Sequence, residues 1–191
     1  MRMITDLLQE SARVKLATAD TLAETASLAA VKIAQALKEG GKIMFCGNGG
    51  SAGDSQHLAA EFVATLDHRK PREGLAAIAL TTDSSLITAF SNDFGFEGIF
   101  DRQVETLGQA GDVLFAISTS GNSENVLRAA QVAQQKDILV IALTGQSGGK
   151  IAAHADILLN VPSDKTMHIQ ESHIALGHAI TAAVEAELGY K

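Results

Sequence analysis

Residues 42–62 constrain this 191-residue chain more than any other stretch. The apolar run Lys42 to Cys46 (KIMFC) has the length and character of a buried strand, and it delivers the backbone into Gly47, Asn48, Gly49 and Gly50. Glycine at three of these four positions allows a sharp turn that Cβ-bearing residues would block, and the residues from Ser51 to Phe62 then carry helical periodicity. Ser51 is placed to cap that helix through its hydroxyl, and Asp54 in the first turn suits the positive end of the helix dipole. His57 and Glu61 are four residues apart. They project from one helix face, where an imidazole and a carboxylate can share a metal ion or one substrate.

The same design of strand, small polar loop and helix recurs. Asp112 to Ile117 (DVLFAI) runs into Ser118-Thr119-Ser120-Gly121-Asn122-Ser123 and then into the helical run ENVLRAAQVAQQK. Leu75 to Leu80, Ile138 to Leu143 (followed by TGQSGG) and Asp156 to Val161 supply the other strands. Thr82-Asp83-Ser84 caps a short helix through Phe90, Ser91-Asn92-Asp93 reads as a polar turn, and a further helix covers Phe96 to Leu107. Thr5 to Lys38 reads as one or two long helices ended by Gly40-Gly41, and Thr166 to Leu188 as a long helix interrupted only by Gly177. Strands alternating with helices predict an α/β fold: a doubly wound five-stranded parallel sheet flanked by helices, with right-handed crossovers and long N- and C-terminal helices. In such sheets ligands bind beyond the carboxyl ends of the strands, where both special loops emerge.

The break at DHRKPREG, around Pro71, reads as an exposed loop and is too short to link two domains, so residues 1–191 are expected to form one domain. Hydrophobic residues make up 46% of the chain and aromatics only 4%, which favours close helix and sheet packing over a core of large rings. A formal net charge of −7 argues against a nucleic-acid partner, and any anionic ligand must be held by local groups. No apolar run reaches the roughly 20 residues of a membrane-spanning helix. Cys46 is the only cysteine, so no intrachain disulfide can form, and Met1 to Gln9 lacks the apolar run of a signal peptide. A cytoplasmic protein is expected.

The Ser118–Ser123 loop offers hydroxyls and free backbone N–H groups at a helix N-terminus and contains no Lys or Arg. It fits a phosphate cradle, and equally an ordinary capped turn. The His57/Glu61 pair, taken alone, is what many exposed helices carry without further role. Its place just past the glycine turn is what points to chemistry. The last helix adds a second polar set, His168, Gln170, Glu171, His173 and His178, within an apolar pattern. Gln170 and His178 are separated by roughly 12 Å along a helix, so convergence on one ligand needs long side chains or contributions from different subunits.

Taken together, CGNGGSAGDSQHLAAEF, SNDFGF, GDVLFAISTSGNSENVLRA, LTGQSGGK and HIQESHIALGH, in this order over nearly the whole chain, resemble the bacterial phosphoheptose isomerase family of sugar isomerase (SIS) domain enzymes. STSGNS alone is common to many SIS proteins; the His57/Glu61 and Gln170/His178 sets are the more specific part. The resemblance implies conversion of sedoheptulose 7-phosphate to D-glycero-D-manno-heptose 7-phosphate through an enediol, the first step toward ADP-heptose and the heptose of the lipopolysaccharide core. It also implies a homotetramer with active sites at subunit interfaces, and one zinc ion per site.

Residue by residue, the resemblance makes Asn48, Gly49, Gly50, Ser51, Asn92 and Asp93 substrate contacts and gives the phosphate to Ser118, Thr119, Ser120 and Ser123. It makes His57, Glu61, Gln170 and His178 the zinc positions, with Glu61 and Gln170 also touching the sugar. Glu61 is the implied general base and His178 the implied acid. Two positions depart from the family pattern: Thr65 and His168 stand where Arg is usual, and the nearest arginine to the former is Arg69. The competing readings are an isomerase for another ketose phosphate, a non-catalytic SIS protein that binds a replication-initiator partner, and a sugar-phosphate-sensing regulatory module. The chain retains the His/Glu set that the partner-binding relative lacks, and has no spare stretch for a DNA-binding segment.

Overall fold

A computed structural model describes residues 2–190. Helix α1 (Arg2–Lys38) leads through Gly40 and Gly41 into β1 (Ile43–Gly47) and α2 (Gly50–Val63). Then follow β2 (Ala77–Ala79), α3 (Ser84–Phe94), α4 (Asp101–Leu107), β3 (Val113–Ile117), α5 (Glu124–Gln135), β4 (Leu139–Gly145), β5 (Ile157–Val161) and α6 (Thr166–Glu187). Short 3-10 turns at Phe96–Gly98 and Lys150–His154 complete the order.

All strand pairs are parallel, in the order β2-β1-β3-β4-β5. The chain therefore reverses its direction of travel across the sheet between β1 and β3, which are neighbours in register from Ile43↔Val113 to Gly47↔Ile117. Loops leaving adjacent strands at such a reversal open a crevice between them, the place where doubly wound sheets bind ligands. Both loops singled out in the sequence leave from here.

The two faces of the sheet build two cores. Ile43, Phe45, Val113 and Phe115 face α1, α2 and α6, while Met44, Cys46, Leu114 and Ala116 face α4 and α5. Phe45 packs on Phe62 of α2 and on Phe115, with ring centroids 5.9 and 5.2 Å apart. Full burial on both faces is why these strands are continuous apolar runs rather than alternating ones.

Helices α2 and α6 lie side by side and run the same way: Gly50 is beside Gln170, and Leu58 is beside Gly177. A Cβ at Gly177 would stand 2.7 Å from both terminal carbons of the buried Leu58. The glycine that looked like an interruption is the contact that lets the two helices close.

Residues 2–38 form a single helix of 37 residues, the first of the two expected forms. Three other expectations need correction. The polar turn expected at Ser91-Asn92-Asp93 is instead the last part of α3, whose exposed face suits polar side chains; the helix stops at Gly95, where φ is 100°. Its start at Asp83 is as expected, with the carboxylate accepting from the Leu86 N–H at 2.9 Å. The helix expected from Phe96 to Leu107 is a 3-10 turn and a separate α4, because Ile99 and Phe100 turn into the core between them. Ser51 does not cap α2: Gly49 holds the N-cap position at φ 56° with no side-chain bond, and Ser51 is buried in the first turn.

Candidate active site

The β1–α2 and β3–α5 loops are joined by their amides. Asn48 Nδ2 donates to Asn125 Oδ1 at 2.8 Å, and Asn125 Nδ2 returns a bond to Asn48 Oδ1 at 2.9 Å. Asn125 is buried on α5 and its oxygen also accepts from the Val126 N–H. This reciprocal pair spans the crevice between β1 and β3. Sequence reading placed Asn48 in the site and missed Asn125.

In the β3–α5 loop, the buried Ser118 bonds to Ser123 across the turn, hydroxyl to hydroxyl at 3.0 Å. Ser123 is the N-cap of α5 but makes no side-chain bond to it, so the helix start directs its N–H groups at the loop. The Ser120 hydroxyl is exposed and accepts from the Asn122 N–H, while the Thr119 carbonyl accepts from Gly145 of β4. A Cβ on Gly121, at φ 65°, would lie 2.1 Å from the Gly148 carbonyl oxygen. The loop therefore rests directly on the backbone of the following GQSGG turn, and only glycine permits that approach.

Further along α2, His57 and Glu61 meet His178 of α6 within one chain. His57 Nε2 lies 3.1 Å from Glu61 Oε1, His178 Nε2 lies 3.5 Å from the same oxygen, and the two Nε2 atoms are 3.0 Å apart. The rings stand edge-on, with centroids 5.1 Å apart. One ligand atom from each residue falls within a span of 4.8 Å. Two imidazole nitrogens and one carboxylate oxygen gathered on one point are a donor set that suits a divalent transition metal. The other carboxylate oxygen, Glu61 Oε2, is buried without a hydrogen-bond partner.

Gln170 stands one layer behind. Its Nε2 donates to both Asp54 oxygens at 2.8 Å, and its side chain runs along Gly50 at 3.4 Å from where a Cβ would be. Burial pushes the Asp54 carboxyl above its ordinary range, while the Gln170 bond and the charges of His57 and His178 pull it back. Asp54 thus belongs to the site rather than serving the helix dipole; its position one turn before His57 was the available signal. Asn92 and Asp93 are exposed on α3 and bonded to each other at 2.8 Å. Among the described residues, no hydrogen bond joins them to the groups above.

At the two departures from the family pattern, His168 is buried, with a carboxylate oxygen of Glu10 and one of Glu171 each 3.6 Å from a ring nitrogen. Thr65 bonds to the carbonyls of Asp67 and Lys70, and Arg69 pairs with Asp67 at 2.9 Å. Neither position brings a cation into the crevice.

The SIS domain family model matches residues 7–145. A phosphoheptose isomerase from Helicobacter hepaticus is 52% identical over 169 residues, covering 88% of this chain and 85% of that protein. The solved structure of a phosphoheptose isomerase from Neisseria gonorrhoeae superposes with a TM-score of 0.91 at 48% identity, over 97% of this chain and 98% of that one. One from Francisella tularensis gives 0.92 at 38% identity, over 97% of each chain.

Proposed function

The chain belongs to the phosphoheptose isomerase family of SIS-domain proteins, and on that premise we propose that it converts sedoheptulose 7-phosphate to D-glycero-D-manno-heptose 7-phosphate at the crevice between β1 and β3. The observation that carries this reading is the meeting of His57, Glu61 and His178 on two neighbouring helices, in a chain that also offers the helix start behind the Ser118–Ser123 loop. Proton transfer between adjacent carbons needs a base and an acid within reach of one another, and these two helices supply both.

In the forward direction Glu61 takes the proton from C1 of the ketose while His178 gives one to the C2 carbonyl oxygen, leaving the enediol. Glu61 then returns its proton to C2 and His178 takes the one on O1, which gives the aldose and restores both groups. Glu61 Oε1 faces the two imidazoles, whereas Oε2 is buried and unpartnered, a desolvated carboxylate oxygen of the kind a base needs.

His57, Glu61 and His178 would hold a zinc ion, with Gln170, bonded to Asp54, as the fourth residue of the set; a His178 Nε2 that holds zinc carries no proton, so ligand and acid would be alternate states of that nitrogen. Bound there, a zinc ion would supply Lewis-acid polarisation of the sugar carbonyl. Ser118, Thr119, Ser120, Ser123 and the start of α5 hold the phosphate. Asn48, Gly49, Gly50, Ser51, Asn92 and Asp93 line the path of the sugar.

A homotetramer with interface sites is supported by the apolar residues that α1 leaves exposed, among them Met3, Ile4, Leu8 and Leu16. An alanine-lined groove of about 330 Å³ also runs between α1 and α6, with Ala19, Ala23, Ala175 and Ala179 on its walls. Exposed apolar side chains and a groove of this kind suit a subunit contact. Among the described residues no helix is long and apolar enough to cross a membrane. Burial pushes the Cys46 thiol up to about 12, which keeps it protonated, and a phosphorylated sugar substrate supports a cytoplasmic enzyme.

Incubating the purified protein with sedoheptulose 7-phosphate and following the aldose by NMR, with chelator and then with added zinc, tests the reaction and the metal together. Conversion lost to chelator and restored by zinc is expected. Conversion indifferent to chelator would remove zinc from the mechanism, and no conversion in either condition would overturn this substrate. Ser120→Ala is expected to raise KM about tenfold with kcat nearly unchanged, because the hydroxyl binds phosphate alike in ground and transition states. A loss confined to kcat would contradict the cradle.

A further inference from the structure

Arg72 lies in the loop that reads as exposed, yet its side chain is only 1% accessible. Its guanidinium donates Nε–H to Glu185 Oε1 at 2.6 Å, Nη1–H to the Phe62 and Glu73 carbonyls at 2.9 Å, and Nη2–H to the Glu61 carbonyl at 2.9 Å. Its Cζ lies 5.8 Å from the centre of the Tyr190 ring. Two of the acceptors belong to the last turn of α2, whose carbonyls have no partner within the helix. Of the other two, Glu73 is the next residue in the chain and Glu185 sits on α6 beyond His178, where it also accepts from the Leu66 N–H at 3.3 Å.

We propose that Arg72 is a positioning residue for the isomerisation, holding the backbone of Glu61 and setting the distance between Glu61 on α2 and His178 on α6. The proposal rests on the roles given above to those two residues. Glu61 is close to the end of α2 (Gly50–Val63), where helices fray. A carboxylate on a fraying turn would wander from the 3.5 Å it keeps to His178. The guanidinium prevents this by occupying the Glu61 carbonyl itself, and by tying that turn to α6 through Glu185. Beside Gly50/Gln170 and Leu58/Gly177, the Arg72–Glu185 pair is the point that closes the far end of the helix pair. A planar fork is required: a lysine ammonium is a single point of charge and cannot serve Glu185 and both helix carbonyls in this arrangement.

Arg72→Lys is the test, since it keeps the charge and the apolar stem. The expected result is a kcat about tenfold lower or more, KM for sedoheptulose 7-phosphate within about twofold, a zinc dissociation constant raised about tenfold, and displaced imidazole NMR signals for His57 and His178. A residue that only capped α2 would lower Tm and move none of these. A folded Arg72→Lys protein with wild-type kcat and unmoved imidazole signals overturns the proposal. Should that variant fail to fold, Glu185→Gln decides in its place, since it removes the charge that ties Arg72 to α6; wild-type kcat and unmoved signals there overturn the proposal equally. If the wild-type protein neither turned over nor bound zinc, the site roles would fail, and the imidazole signals would still decide the clamp.

Discussion

Glu61→Gln is expected to reduce kcat by about 10³- to 10⁴-fold, because the amide can neither take the C1 proton nor return it to C2. The substitution is nearly isosteric, and the 15% accessible side chain leaves little room for a change in packing. Circular dichroism, thermal midpoint and the binding of inorganic phosphate should stay as in the wild type. Glutamine keeps an oxygen for the imidazoles, so the effect on turnover should exceed any effect on zinc affinity. Initial rates at saturating sugar phosphate measure it. Turnover close to the wild type would eliminate Glu61 as the base.

Acidification from pH 7 toward pH 4 is expected to remove about 3 kcal/mol of stability through His173 alone. His173 is fully buried on α6, with Nε2 bonded to the Thr144 carbonyl at 3.0 Å and Nδ1 without a partner. Burial lowers its pKa from 6.5 to about 4, against a smaller opposing effect of the Thr144 bond. Above pH 6.5 the ring is neutral in both folded and unfolded chains, so nothing is gained or lost. Between 6.5 and about 4 the unfolded chain takes up a proton that the native protein refuses, and stability falls with pH. Carboxylates titrate in the lower half of this window, so the comparison is with His173→Gln, whose amide can still donate to Thr144. The urea unfolding free energy of the wild type should drop more steeply than that of the variant, and parallel pH profiles would refute the assignment.

β1 and β3 were legible because burial on both faces makes each a continuous apolar run, and they fall where KIMFC and DVLFAI put them. The Ser118–Ser123 loop and the His57/Glu61 pair were legible because glycine, serine and the four-residue helical spacing are local signals. The residues that were missed act across the chain. Arg72 meets Glu185 over a separation of 113 residues, and Asn48 meets Asn125 over 77, so no local window holds both partners. Asp54 was assigned to the dipole because its partner, Gln170, lies 116 residues away. Ser51 was read as a cap from its type, whereas the left-handed φ of Gly49 starts the helix earlier. Of the two residues eight apart on α6, His178 meets His57 and Glu61 directly, whereas Gln170 bonds to Asp54.

One chain contributes His57, Glu61 and His178 together. In genetic terms, an allele damaged at Glu61 and another damaged at His178 should not complement each other when expressed in the same cell. However their subunits mix, every triad inherits one broken member, and no exchange of partners assembles an intact one. Damage at a residue that reaches the crevice from a neighbouring subunit would behave in the opposite way, since a mixed assembly then contains some crevices whose two contributors are both sound. Crossing such alleles thus separates groups belonging to the chain's own triad from those lent by its neighbours.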